Sequence, residues 1–293
     1  MPQERPAALN RLKKFGTVLN IGTDCFYKKL MELKSNEVGK PDIKNLGFVE
    51  QLSSISTENE ISRDDFSSLV ISGEFSRGKY QRQLIENDSE NLYCVNRSRK
   101  IEQVLSDDAS ILNKVFVTSD IGNGKTVFLS QLATEALNQG YNVFIVRSEL
   151  DEVFAEVEML LERTERQIFI VDDYIRHRRI SKFIALRLSG NHKLIVSGRS
   201  DIEDTNYEQL TDELSGAFKE IDLNQLSTDE ISQWERLLDR WGFWEDHGGA
   251  DQQSRMNFLK KDCGAENRSI ILAIFKKPRV ADKIKSIVEY FLI

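Results

Sequence analysis

The sequence predicts an α/β fold, a parallel sheet flanked by helices with a small helical lid behind it, and three stretches carry that prediction. "NKVFVTSDIGNGKTVFLSQLATEALNQGYNVFIV" (113–146) reads as strand, glycine loop, helix and strand. "RQIFIVDD" (166–173) is an apolar run that ends in two adjacent carboxylates. "HKLIVSGRS" (192–200) is another such run, ending in Gly198 and Arg199. Short apolar runs alternating with helical patterns are the signature of a parallel sheet with crossover helices.

The elements follow in chain order. "TVLNIGTDCFYKKLMELKS" (17–35) reads as a strand, a turn at Gly22, and a helix with Phe26, Leu30 and Leu33 inward. From Leu52 to Ser68 the chain turns polar and reads as a linker or loosely packed surface. A lone strand and helix cannot complete a sheet, so residues 1–89 are expected to extend the next domain or to be the tail of an effector domain. Val115, Phe116 and Val117 form the first strand of the nucleotide-binding domain expected over 90–223. The loop after it, SDIGNGKT, differs from the phosphate-loop pattern G-x-x-x-x-G-K-[ST] only in Ser119, at a position that mainly sets the turn. Ser119, Asp120, Ile121, Gly122, Asn123, Gly124, Lys125 and Thr126 are therefore the expected nucleotide-binding residues. The amides of 122–124 would face the phosphates, Lys125 would reach the β and γ phosphates, and the Thr126 hydroxyl would bind Mg²⁺. An ordinary glycine-rich turn with an exposed lysine is the competing reading.

Val127, Phe128, Leu129, Leu132, Ala133 and Leu137 then recur at helical spacing until the stop at Asn138-Gln139-Gly140. A further strand, "GYNVFIVRS" (140–148), precedes a helix through Val153, Val157, Leu160 and Leu161. In the acidic strand, Ile168 to Val171 are expected to be buried on both faces. Two carboxylates after such a strand call for a cation. Asp172 is expected to hold Mg²⁺ through water, and Asp173 to polarise the attacking water. A helix-capping Asp would account for only one of them. The basic segment "YIRHRRISK" (174–182) reads first as a solvated helix face, with contact to a phosphate as the less favoured reading, and His177 as a surface residue. Phe218 to Leu223 form a fifth apolar run, and Ser227 with Glu230 make a capping box that opens the helical lid expected over 224–293. Trp234, Trp241 and Trp244 read as core or domain contact rather than a base-stacking platform.

Composition narrows the class. The 293 residues are 40% hydrophobic and 30% charged, values of a globular chain of roughly two domains. No apolar run nears the roughly 20 residues of a membrane helix, and "MPQERPAALNRLKK" has no signal-peptide core. Cys25, Cys94 and Cys263 have no metal spacing and cannot all pair with one another, which fits a reducing cytoplasm. A net charge of −7 disfavours a broad nucleic-acid surface.

The order "YCVNRSRKIEQVL" (93–105), SDIGNGKT, IFIVDD, LIVSGRS, "LNQLSTDEISQW" resembles the STAND class, signal-transducing P-loop ATPases related to apoptotic and NACHT ATPases. A strand between the phosphate loop and the acidic strand is also the arrangement of the additional-strand division of P-loop ATPases, not of small GTPases or adenylate-type kinases. The resemblance implies that Tyr93, Val95 and Arg97 lie by the adenine, although Asn96 and Ser98 replace the usual Gly and Glu. It implies that Arg199 senses the γ-phosphate, the alternative being a surface pair with Asp201 or Glu203. "CGAENRSIILAIF" (263–275) is similar to the segment whose turn touches the nucleotide, which carries Arg268 over although no proline follows Gly264. The implied activity is an ATP- and Mg²⁺-dependent switch with slow hydrolysis, in which Lys125, Asp173 and Arg199 act on the phosphates. It implies self-assembly through the ATPase domain and a sensor or effector outside this chain, and many bacterial members act against phage. Two other readings are a ring-type ATPase remodelling nucleic acid or protein, and a non-catalytic interaction module with a degenerate site.

Overall fold

The computed structural model of the chain describes residues 46–53, 61–86, 93–106, 113–244 and 247–275. The strand and helix expected over 17–35, and Cys25, lie outside the described residues.

Six strands form one sheet: β1 (Val49–Leu52), β2 (Lys114–Thr118), β3 (Asn142–Val146), β4 (Gln167–Val171), β5 (His192–Gly198) and β6 (Lys219–Asp222). Their spatial order is β1-β3-β4-β5-β2-β6. Five strands run parallel, and β1 pairs antiparallel with the outer side of β3. The strand that separates the glycine-loop strand β2 from the acidic strand β4 is β5, which follows both in sequence, whereas β3 lies beyond β4. The register sets Thr118 opposite both Gly198 and Asp222, and Val171 opposite Val196. The carboxyl ends of β2, β4, β5 and β6 therefore open onto one edge, where ligands bind in parallel sheets.

Helices cover both faces because these strands are apolar on both. On one face Val115, Val117, Ile168, Ile170 and Ile195 pack with α3 (Ser98–Leu105) and α4 (Lys125–Asn138). Successive side chains alternate, so Phe116, Phe144 and Phe169 point the other way. There α5 (Asp151–Leu161) packs on α6 (Arg178–Arg187), with Val153, Val157, Leu160 and Ile180 fully buried. Helix α7 (Ser200–Glu213) follows β5.

A second core lies beside the sheet. It joins α1 (Arg63–Ser72) to α8 (Thr228–Arg240), α9 (Gln252–Asn257), a π-helical turn (Phe258–Asp262) and α10 (Asn267–Phe275). Phe66 stacks on Trp241 at 6.0 Å and meets Trp234 and Phe243 edge-on. Residues 63–68, expected to be a linker or loosely packed surface, thus begin a helix that buries Phe66, Ser67 and Val70, opened by a Ser62–Asp65 capping box and ended at left-handed Gly73. The Ser227–Glu230 capping box starts α8 as expected, and the three tryptophans belong to this core. Helix α2 (Arg77–Ile85) packs on α4. All of this, from Leu46 onward, packs as one unit.

Candidate functional site

The glycine loop between β2 and α4 turns on two left-handed residues, Gly122 (φ 88°) and Gly124 (φ 84°), a conformation costly for any residue with a Cβ. Gly124 caps α4, so the free amides of the first helical turn face the sheet edge and favour an anion there. A cavity of about 700 Å³ opens at this point, a size suited to a nucleotide. Its loop and carboxylate lining comprises Ser119, Asp120, Ile121, Gly122, Gly124, Lys125, Thr126, Asp172, Asp173 and Arg199. Its apolar lining includes Phe66, Leu69 and Val70 of α1, Trp234 and Leu237 of α8, and Ile271 of α10.

Fixed partners hold several of these polar groups in place. Lys125 Nζ donates to the Gly198 carbonyl at 3.3 Å, which holds it across the end of β5. Ser119 is buried, donates its amide to the same carbonyl, and has a hydroxyl without a hydrogen-bond partner among the described residues. The Asp172 carboxylate accepts a hydrogen bond from the Ser197 hydroxyl, and Asp173 donates its amide to Ser197 Oγ at 3.2 Å. Asp173 stands at φ 65°, a left-handed position uncommon outside glycine and costing of order 1–3 kcal/mol, and its exposed carboxylate lies 4.0 Å from the Arg176 guanidinium. Arg199 is exposed, precedes α7, and has no ion-pair partner among the described residues. The side chains of Asp201 and Glu203 lie outside the described set. Thr126 and Asp172 could hold an ion jointly with phosphate oxygens. The described residues contain no cluster of three His, Cys, Asp or Glu, and Mg²⁺ suits such a site because it keeps several waters and rides on phosphates.

The expected base-binding residues are dispersed. Val95 lines the cavity. Tyr93 does not: it is buried under α2, its hydroxyl donating to the Ser76 carbonyl and accepting from the Ser76 amide. Arg97 lines the cavity, yet its guanidinium is engaged elsewhere. Nη1 donates to the Leu223 carbonyl at 2.8 Å and Nη2 to the Asn123 carbonyl at 3.0 Å, with Glu230 at 4.0 Å. Burial lowers the Arg97 pKa, and the Glu230 carboxylate opposes that shift. Asn123 does not line the cavity. Arg268 lies outside it too, but its backbone amide donates to Asn123 Oδ1 at 3.0 Å and its side chain crosses Gly122.

Several residues that sequence reasoning passed over hold this arrangement together. Asn224, just after β6, accepts from the Asp120 amide and from Asn123 Nδ2 at 2.7 and 2.9 Å. Asn267, at the start of α10, donates to the Gly122 carbonyl and accepts from the Trp234 indole. Gln131, fully buried on α4, donates to the Val95 carbonyl at 2.8 Å. The one available signal was a polar residue within an apolar run, as with Ser197 in "LIVSG". Cys94, also in the cavity wall, has a thiol pushed up to about 12 by burial, which disfavours the thiolate. In the basic segment after β4, Arg178 binds Glu213 and Arg179 crosses the Phe154 ring, while Arg176, Arg179 and Lys182 are exposed. His177, expected at the surface, is buried at the start of α6.

Residues 91–208 match the family model described as Novel STAND NTPase 5. No curated protein matches the chain. Among solved structures, a chain of the S. cerevisiae Hsp104-ADP complex aligns at 12% identity and TM-score 0.42, over 66% of this chain and 38% of that one. One from the S. cerevisiae Hsp104:casein complex in its extended conformation aligns at 13% and 0.41, over 66% and 38%. This chain thus spans under two fifths of theirs, and no described helix is long and apolar enough to cross a membrane. Over residues 91–208, then, this chain is similar to a STAND-class NTPase domain.

Proposed function

We propose that the chain is an ATP-binding, slowly hydrolysing switch whose nucleotide state is passed to the helical lid. The observation that carries this is that one cavity is lined both by phosphate-loop and carboxylate residues and by side chains of α1, α8 and α10. A nucleotide filling it would touch sheet and helices together, and a ligand shifts a conformational equilibrium only through such differential contacts. Lys125 and the loop amides would hold the phosphates, and Thr126 and Asp172 the Mg²⁺. Asp173 would orient water, and Arg199 would meet the γ-phosphate. The reading extends to nucleotide-dependent self-assembly in the cytoplasm with a sensor or effector outside this chain, and to antiphage defence, both supported by the class resemblance.

The test is calorimetric titration with ATP, ADP and GTP, with and without Mg²⁺, together with a phosphate-release assay. Micromolar ATP binding with slow, Mg²⁺-dependent turnover is expected. Absence of nucleotide binding would overturn the reading in favour of an interaction module with a degenerate site.

A further inference from the structure

A phosphate loop works only if its peptide planes are turned so that N–H groups face the anion and carbonyls face away. Within one plane the two are antiparallel, so holding a carbonyl outward aims the next residue's N–H inward. Two carbonyls at the turn of this loop are held by side chains of other segments, both of which also line the cavity. The Gly122 carbonyl accepts from Asn267 Nδ2 at 3.1 Å, and the Asn123 carbonyl from Arg97 Nη2 at 3.0 Å. The amides set by these two planes are those of Asn123, which donates to the Asp120 carbonyl at 3.3 Å and so closes the turn, and of Gly124, which lines the cavity. Both donors are themselves fixed. Asn267 Oδ1 is held by the Trp234 indole at 2.9 Å, and Arg97 by the Leu223 carbonyl and the buried Glu230 carboxylate at the start of α8.

We infer that Arg97 and Asn267 are positioning residues for the phosphate site: Asn267 fixes the turn at Gly122, Arg97 sets the plane that aims the Gly124 amide, and together they preset the cradle. Arg97 adds a second effect, because its buried cation lies against the loop at the Asn123 carbonyl and favours an anion at that loop, with reduced solvent screening. Both side chains are also tied to the helical lid, Asn267 by belonging to α10 and Arg97 through Glu230 of α8. The cradle is therefore complete only with the lid docked. Arg97 thereby acquires a role distinct from adenine contact.

This inference rests on the nucleotide-binding reading above, and the test separates the two. Calorimetry is run on the parent, Lys125→Ala, Arg97→Lys, Arg97→Met and Asn267→Ala, each with ATP, ADP and adenosine. Asn267→Ala and Arg97→Met are expected to weaken ATP and ADP on the order of tenfold each, the scale of one hydrogen bond to a phosphate-binding element. Adenosine affinity should stay at the parent's value, which a generally loosened pocket would not allow. Arg97→Lys, with the charge but not the fork, should fall between parent and Arg97→Met. Arg97→Met leaves Glu230 buried without its partner, so Asn267→Ala, at a half-exposed site, decides the matter if that variant does not fold. If ATP binds the parent and is lost in Lys125→Ala while Asn267→Ala binds like the parent, the positioning role is wrong and the nucleotide reading stands. Loss of adenosine in parallel with ATP overturns the positioning role as well. If the parent binds no nucleotide, the nucleotide reading falls, and this inference with it.

Discussion

Gly198→Ala tests how the end of β5 is built. A Cβ on Gly198 would sit 2.6 Å from Phe116 Cζ and 3.2 Å from Cε1, whereas carbon atoms in contact settle at about 3.5–4.0 Å. The ring has nowhere to go. Phe116 is fully buried, with Tyr174 edge-on at 5.8 Å and Phe218 tilted against it at 5.9 Å. The overlap of about 1 Å must therefore be relieved by moving β5 away from β2, at the roughly 1–3 kcal/mol typical of overpacked cores. The same shift withdraws the carbonyl that holds Lys125 and the Ser119 amide, so nucleotide affinity should fall with stability. Urea unfolding is expected to show a lower midpoint at unchanged slope. Phe116→Leu, which shortens the ring, should recover part of the loss when added to Gly198→Ala, giving a coupling of at least about 1 kcal/mol in the double-mutant cycle. A Gly198→Ala midpoint equal to the parent's, or strict additivity with Phe116→Leu, would refute the reasoning.

Four further outcomes are expected. Lys125→Ala should weaken ATP binding by about 2 to 4 kcal/mol in calorimetry, the scale of a charged contact to phosphate. Asp173→Asn should keep Mg²⁺–ATP bound while phosphate release drops about 10²-fold, whereas Asp172→Asn should damage metal-dependent binding itself. Arg199→Ala should bind ADP like the parent yet lose any difference in mass or compactness between ADP and a non-hydrolysable ATP analogue on size exclusion with light scattering. Glu213 is held below its ordinary value of 4.5, chiefly by its hydrogen bond from Arg178. A depressed carboxylate adds stability above that ordinary value and loses it as pH falls through its folded-state value. The stability gap between parent and Glu213→Gln should therefore be full at neutral pH and close in acid, followed as denaturation midpoints against pH.

What was legible in the sequence was local. The glycine loop, the Ile168–Val171 run and the Ser227–Glu230 box each announce themselves within a few residues, because loop geometry, two-sided burial and capping are set by neighbours in the chain. β1 was not legible: "VEQL" is too short and shows no clean alternation, and it becomes a strand only because β3 offers an open edge. The placing of β5 between β2 and β4 was likewise invisible, since strand order is a tertiary choice. The partners of Arg97 were not legible for the same reason. Its partners, Leu223, Asn123 and Glu230, come from distant segments, and no pattern around "VNRSR" points to them.

Strand β1 has a consequence for the order in which the chain assembles. Glu156 of α5 accepts the amides of Gly47, Phe48 and Val49 at 2.7, 3.0 and 2.9 Å, the last across 107 residues of intervening chain. Closing so long a loop has an entropic cost, and only four strand residues, with Val49 and Leu52 buried, and one carboxylate offset it. Strand β1 is thus placed to dock late, after β3 and α5 have formed, and to be among the first elements to detach in local opening. Each detachment bares the β3 edge from Asn142 to Val146, a row of unpaired amides and carbonyls that invites another strand. Its hold on the sheet is therefore what keeps this edge from serving as a template for self-association in the partly open chain.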